Sequence, residues 1–252
     1  MFELSVELAA LLVAAAFLAG FVDAIAGGGG LITVPALMLA GLSPLEALST
    51  NKVQGVFGAA TAALSYARAG HVNLRRQIRA AAVAFGCGMA GAFLAGLVPT
   101  EGLRMALPVV LIGIAVFFAV KPGLGDLDRA ERIAPAMFTL GVVPWIAAYD
   151  GLIGPGAGSF YMIGFVTLAG YGVLRATAHT KLLNFASNLG GLVAFAAQGA
   201  PLWGLGLAMG LAQIAGARLG AHVAMRRGAR IIKPLLVVTS GALAARLLWQ
   251  MV

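Results

Sequence analysis

Asp23 precedes the tract Gly27-Gly28-Gly29-Gly30 inside an otherwise apolar run. Asp150 likewise precedes Gly154, Gly156 and Gly158, with Ser159 directly after. Each tract is followed by a polar cluster ending in lysine, Thr50-Asn51-Lys52 in one case and His179-Thr180-Lys181 in the other. The two aspartates are 127 residues apart and the two lysines 129, so one constellation occurs twice with a small insertion between its motifs. These residues suit ion binding, and the chain lacks a convincing Ser-His or His-rich metal constellation for bond chemistry. A glycine break leaves N–H groups unpaired at the start of the next segment and lets a ligand come close to the backbone. The field at a helix N-terminus favours negative charge there. The carboxylates suit either capping of the following turn or binding of a coupling proton or sodium ion. A lysine about two turns inside an apolar helix suits an anion, or else snorkels to the interface. Asn184, Ser187 and Asn188 continue the polar side of the second cluster, with Lys181, Asn184 and Asn188 at spacings of three and four, hence on one face. Two matched breaks in two halves point to a duplicated transporter whose broken helices meet at one central site. Close helix packing is the competing use of glycine, as Gly206/Gly210 and Gly216/Gly220 suggest by their GxxxG spacing.

The composition dictates what must position these residues. Of 252 residues, 61% are hydrophobic and only 10% are charged, with a mean hydropathy of +0.96. Soluble domains carry about 25% charged residues, so the chain reads as an all-α integral membrane protein. Its apolar runs are too long and continuous for alternating barrel strands. Cys87, the single cysteine, excludes an intrachain disulfide and a cysteine-based metal site. The net charge of +8 does not imply nucleic acid, because the basic residues gather in short loops between apolar runs. Arg68, Arg75, Arg76 and Arg79 form one group, and Arg226, Arg227, Arg230 and Lys233 form the other. That is the pattern of topology signals and of contacts with anionic lipids. Acidic Glu3 and Glu7, with no basic n-region, give no reason to expect a removable signal peptide.

The expected elements follow from the apolar runs. A helix over about Leu4–Ala26 ends at the first glycines, and the short run Leu31–Gly41 is too brief to cross a bilayer of ~30 Å. Ser43-Pro44 opens a long helix to about Tyr66, with Glu46 as its N-terminal charge. Helices near Arg79–Val98 and Leu103–Val120 are separated by a turn at Pro99–Gly102. The polar stretch Lys121–Arg132 divides a first repeat, residues 1–120, from a second, residues 133–252. The second half repeats the order: a run near Ile133–Tyr149, a short run Ser159–Gly170, and a long helix Val173–Ala197. A turn at Gln198–Pro201, a helix near Leu202–Met225 and a last helix near Ile231–Trp249 complete about eight membrane helices.

Both basic loops, Tyr66–Arg79 and Met225–Lys233, are expected in the cytoplasm, as is the linker at 121–132. The turns at Pro99–Gly102 and Gln198–Pro201 hold no Lys or Arg and suit the outside. Each half then crosses the membrane an odd number of times. The halves are therefore inverted relative to each other, and both termini are non-cytoplasmic. After Asp150 the chain contains no Asp or Glu. Arg175, Lys181 and Arg218 must find partners in Asp150, the first half, carbonyls, lipid or an anionic substrate.

The run from Phe21 to Ala59, with its weaker echo in the second half, resembles the TauE/SafE family of sulfite exporters. The glycine tract, Pro35, Ala47, Thr50-Asn51, Ala176, Lys181, Asn184 and Ser187-Asn188 carry the likeness, which covers nearly the whole chain. The resemblance implies a bacterial inner-membrane permease for small sulfur-containing anions such as sulfite or sulfoacetate, or related organic acids. Pro155 and Ala157 interrupt the second glycine tract, so the two halves are not expected to play equal roles.

The reading is a secondary transporter with alternating access at a central site. Candidate substrate-binding residues are Gly27, Gly28, Gly29, Gly30, Thr50, Asn51, Lys52, Gly154, Gly156, Gly158, Ser159, His179, Thr180, Lys181, Asn184 and Ser187, with Asp23 and Asp150 as ion-coupling candidates. Its alternative is an anion channel. No enzyme activity, cofactor or metal is expected, the partners being a small anion, a lipid bilayer with anionic lipids at the basic loops, and a coupling proton or sodium ion. The sequence assigns no oligomeric state.

Overall fold

The computed structural model describes residues 5–95, 116, 125–232, 234, 235, 237 and 238. Within them every regular element is helical. The expected turn at 99–102, the helix near 103–120 and most of the last helix lie outside the described residues.

Helix α1, Val6–Ala26, starts at Ser5, whose hydroxyl accepts from the Leu8 N–H. It stops where Gly27 and Gly28 take φ of 78° and 100°, a left-handed backbone that side chains with a Cβ resist. Helix α2, Gly30–Leu39, is ten residues long, about 15 Å, and reaches only half-way through a bilayer. Helix α3, Pro44–Arg68, opens with a complete capping box: Ser43 and Glu46 each satisfy the other's main-chain N–H. A 3-10 turn, Leu74–Gln77, leads into α4, Ile78–Ala95. In the second half, the expected single helix over Ile133–Tyr149 is divided. A short helical turn, Pro135–Met137, passes into a π-helical segment, Phe138–Val142, before α5, Val143–Leu152. The Val143 N–H donates to the carbonyl of Phe138, five residues back, and Pro144 next to it has no N–H to offer. Helix α6, Ala157–Thr167, is again short. The long helices α7, Val173–Ala197, and α8, Trp203–Arg227, follow.

The halves interleave. α1 packs along α8, and α5 packs along α4; α3 lies against α8, α7 against α4, and α3 and α7 touch each other. Glycines permit these close approaches. Gly216 and Gly220 admit the main-chain carbonyls of Phe17 and Phe21 on α1, while Gly91 admits that of Ala148 on α5. Gly206 and Gly210 receive the side chains of Val53 and Phe57 instead. The close-packing use of the GxxxG pairs is therefore real, and it is separate from the breaks.

A few polar and charged side chains are buried within an otherwise apolar interior, while large apolar side chains cover the flanks. Leu11, Leu140, Trp145 and Leu211 are exposed on its flanks, whereas Lys52, Lys181, Asp150 and Gln213 are buried. In water that distribution would be unstable; in lipid it is the favourable one. Val6–Ala26 and the stretch Leu74–Ala95 are long and apolar enough to cross a membrane.

Contacts also fix which helix ends lie together. The N-terminal end of α7 meets the loop after α3 around a cavity bordered by His71, Arg76, Arg79, Glu131, Arg175 and His179. Asp126 accepts from the N–H groups of Leu174 and of Ala229, beyond α8. Both basic loops therefore gather with the linker at one end. At the other, the N–H of Leu202, after α7, donates to Thr50 Oγ1 near the start of α3, at 3.0 Å. Hence α3 and α7 run antiparallel.

In the linker, Asp128 pairs with Arg175 and accepts from the Gly172 N–H at 2.8 Å. Partial burial pushes its carboxyl up, but the Gly172 hydrogen bond and the Arg175 charge outweigh this and hold it below the usual 3.8. A lowered carboxyl stabilises the fold above its unfolded value and ceases to do so as pH falls through the folded one. Acidification below about pH 4 is expected to loosen the linker from α7, read as a lower hydrogen-exchange protection factor at Gly172. Asp128→Asn should show that lower protection already at pH 7.

Candidate functional site

The two breaks meet. Gly27 lies against Gly158: a Cβ at Gly27 would stand 2.8 Å from the Gly158 carbonyl carbon, and one at Gly158 would stand 2.9 Å from the Gly27 Cα. Ser159 Oγ is 3.5 Å from the carbonyl oxygen of Ala26. Tyrosines hold each break from the side. Tyr66 donates to the Ala24 carbonyl at 2.8 Å, and Tyr149 donates to that of Pro155 at 2.7 Å.

Each lysine crosses to the break of the other half. Lys52 Nζ on α3 donates to Asp150 Oδ1 at 2.7 Å and to the Asp150 carbonyl. Lys181 Nζ on α7 donates to the Asp23 carbonyl and lies 3.3 Å from Asp23 Oδ2. Both lysine side chains are at most 1% exposed, so they do not snorkel. An ammonium buried this deeply needs a charged partner, and the scarcity of carboxylates leaves the break aspartates to supply it.

The two carboxylates are used differently. Asp23 caps its own break: Oδ1 accepts from the N–H groups of Gly28 and Gly29, both at 3.0 Å. Asp150 caps nothing. Its Oδ1 takes Lys52, while its Oδ2 takes the Ser187 hydroxyl and the Asn188 amide, the latter at 3.3 Å. The proline at 155 is the local reason for the difference, since it has no N–H where the first tract has that of Gly28.

Between the breaks lies a cavity of about 30 Å³ bordered by Asp23, Gly28–Gly30, Asp150, Gly154, Gly156, Gly158, Asn51, Asn184, Asn188 and Gln213. That is room for roughly two water molecules at ~10–15 Å³ each. The first turns of α2 and α6 open onto it, which presents main-chain N–H groups and two positive helix ends. Amides stand directly at these turns. A Cβ at Gly30 would lie 3.2 Å from Asn51 Nδ2, and one at Gly158 would lie 2.8 Å from Asn184 Nδ2. The Asn184 Oδ1 is buried without a partner. Asn51 is fixed by its own oxygen, which accepts from Thr33 at 2.6 Å and Gln54 at 3.2 Å, so its NH2 group is left facing the cavity.

Of the residues singled out in the sequence, the breaks, Asn51 and Asn184 come together around the cavity. Lys52, Lys181 and Ser187 stand behind its wall, on the aspartates. Thr50 and His179 are not brought to it. Thr50 caps the start of α8, and the His179 ring lies edge-on to Tyr171 and Phe165 at the basic end, its Nδ1 2.9 Å from the Arg175 carbonyl. Thr180 is buried with its hydroxyl unpaired. Gln213 was not foreseen. It is a lone amide in the apolar α8, and only its uncharged polarity in the middle of a membrane-length run could have marked it. Gly55 and Ala59 also border the cavity, on the face of α3 that continues from Lys52.

The sulfite exporter TauE/SafE family matches residues 12–247. The chain is similar to a Sinorhizobium sp protein named probable membrane transporter protein ORF9, with 56% identity over 98% of this chain and 94% of that one. It is similar also to probable membrane transporter protein YfcA of Escherichia coli K12, with 43% identity over 99% and 93%. A probable membrane transporter protein of Haemophilus influenzae is 38% identical over 98% and 97%. No solved structure matches. A match spanning both breaks, both lysines and the helices that carry them means that the chain belongs to the sulfite exporter TauE/SafE family.

Proposed function

We propose that the chain is a secondary transporter for small sulfur-containing or organic anions, sulfite and sulfoacetate among them, which bind between the two breaks. The carrying observation is the meeting of two half-helix N-termini and free amide donors at one buried cavity. Such an arrangement binds a compact anion by charge-assisted hydrogen bonds. The relatives' names, membrane transporter proteins, and the family's description support the class. The antiparallel run of α3 and α7, with both basic loops at one end, supports two inverted repeats with that end cytoplasmic and a bacterial inner-membrane location. The basic cavity at that end, bordered by Arg76, Arg79 and Arg175, gathers anions ahead of the central site.

The two breaks close directly against each other at Gly27 and Gly158 beside the cavity, so parting them would open the site and closing them would seal it. That favours alternating access over an open pore. A thermal-shift panel of sulfite, sulfate, thiosulfate, sulfoacetate and short carboxylates on the purified protein identifies the class. Saturable counterflow in proteoliposomes then tests transport. Single-channel currents in place of counterflow would refute the mechanism, and no stabilisation by any anion would refute the substrate class. Asn184→Ala and Gln213→Leu are expected to weaken anion affinity by about tenfold or more each, since a hydrogen bond to a charged group is worth ~1.5–3 kcal/mol. Isothermal titration would read the loss.

A further inference from the structure

The central cavity carries no net charge: two carboxylates border it, and two lysines stand on them. A monovalent anion entering as things stand would leave one uncompensated negative charge in a low-dielectric interior. Resting on the transporter reading above, we infer that Asp23 takes up one proton when the anion binds, while Asp150 stays charged and paired. The proton comes from solvent and adds to Asp23 Oδ2. The O–H bond formed there replaces one broken in hydronium, and the Lys181 charge is left to balance the monovalent anion.

Geometry selects Asp23. Its two oxygens have separate tasks. Oδ1 holds the break through Gly28 and Gly29, and among the described residues Oδ2 has only Lys181, at 3.3 Å. Protonating Oδ2 therefore leaves the break intact. Its side chain is 17% exposed and borders the cavity, which gives the proton a route. Asp150 is 3% exposed, and both its oxygens are bound, to Lys52 at 2.7 Å and to Ser187 and Asn188. Among the described residues, Asp150 across the cavity is the other carboxylate beside Asp23. From α7 it faces Lys181, and from α3 it faces Tyr66, whose hydroxyl is bound to the Ala24 carbonyl. α8 brings Gln213 to the cavity that Asp23 borders, while its Arg218 and His222 are exposed. α2 has no titratable side chain and α6 only Tyr161.

The test uses methanesulfonate, acetate and formate, monovalent anions none of which titrates near neutral pH. Each is added to the purified protein in weak buffer with a pH indicator, with binding followed in parallel by calorimetry. Binding is expected to consume one proton per anion. Affinity should fall about tenfold per pH unit over the range in which free Asp23 is ionised, as linkage requires. Asp23→Asn, which keeps an oxygen for Gly28 and Gly29, should bind without proton uptake and with a flat pH profile. Binding without proton uptake, uptake that persists in Asp23→Asn, or binding that needs sodium instead would each overturn the inference and leave the transporter reading standing. Failure of all three anions to bind would remove that reading and this inference with it. Should Asp23→Asn not fold, the proton count on the unaltered protein decides alone.

Discussion

Asp150→Ala is expected to lower stability by about 3–5 kcal/mol, the usual consequence of removing one partner from a buried ion pair. The alanine leaves the Lys52 ammonium, 1% exposed, without the carboxylate it is bound to. Ser187 and Asn188 lose an acceptor at the same moment. Lys52→Met should cost a similar amount, because it leaves a 3% exposed carboxylate uncompensated. The double variant Asp150→Leu/Lys52→Met should recover much of the loss, since no buried charge then remains. Equilibrium unfolding of the four proteins in mixed detergent would measure the cycle. Single variants as stable as the original protein would show that water reaches Lys52 and Asp150, and that the two are not a desolvated pair.

The second large effect belongs to Gly27→Val. At φ of 78° a β-branched residue is strained by roughly 1–3 kcal/mol. Its Cβ would also meet the main chain of Gly158 and Ser159 at 2.8–2.9 Å, where nothing flexible can move aside. Overpacking of that kind costs ~1–3 kcal/mol more. The breaks would be wedged apart at the point where the cavity closes. Anion counterflow should be lost together with a lower Tm, whereas Gly204→Ala, whose Cβ meets nothing within 4 Å, should change neither. Normal flux with valine at position 27 would mean that the contact between the breaks is not part of the transport cycle.

Local features of this molecule were readable in the chain. Helix α3 starts where Ser43, Pro44 and Glu46 indicate, and α1 stops at the glycines, because capping and left-handed backbone are properties of a few consecutive residues. Hydropathy located the helices for the same reason. The π-helical segment at Phe138–Val142 was not legible, since the apolar run continues unbroken across it and only Pro144 hints at a disturbed ladder. Thr50 and His179 adjoin their lysines in sequence. A helix turns about 100° per residue, however, so neighbours one or two positions apart face different ways. Gln213 escaped because a single neutral amide leaves no pattern.

What the sequence determined by itself is an α-helical chain with two matched breaks, two matched lysines and too few carboxylates. Those are facts of composition and spacing. The tertiary structure alone decided that the lysines exchange partners, Lys52 with Asp150 and Lys181 with Asp23. It alone decided that Asp23 caps its break while Asp150 is bound on both oxygens. Pairing across 98 and 158 residues depends on how α3 and α7 pass each other in the interleaved bundle. No local propensity encodes that passage; it is set by the need of each buried charge for a counter-charge where no water can serve.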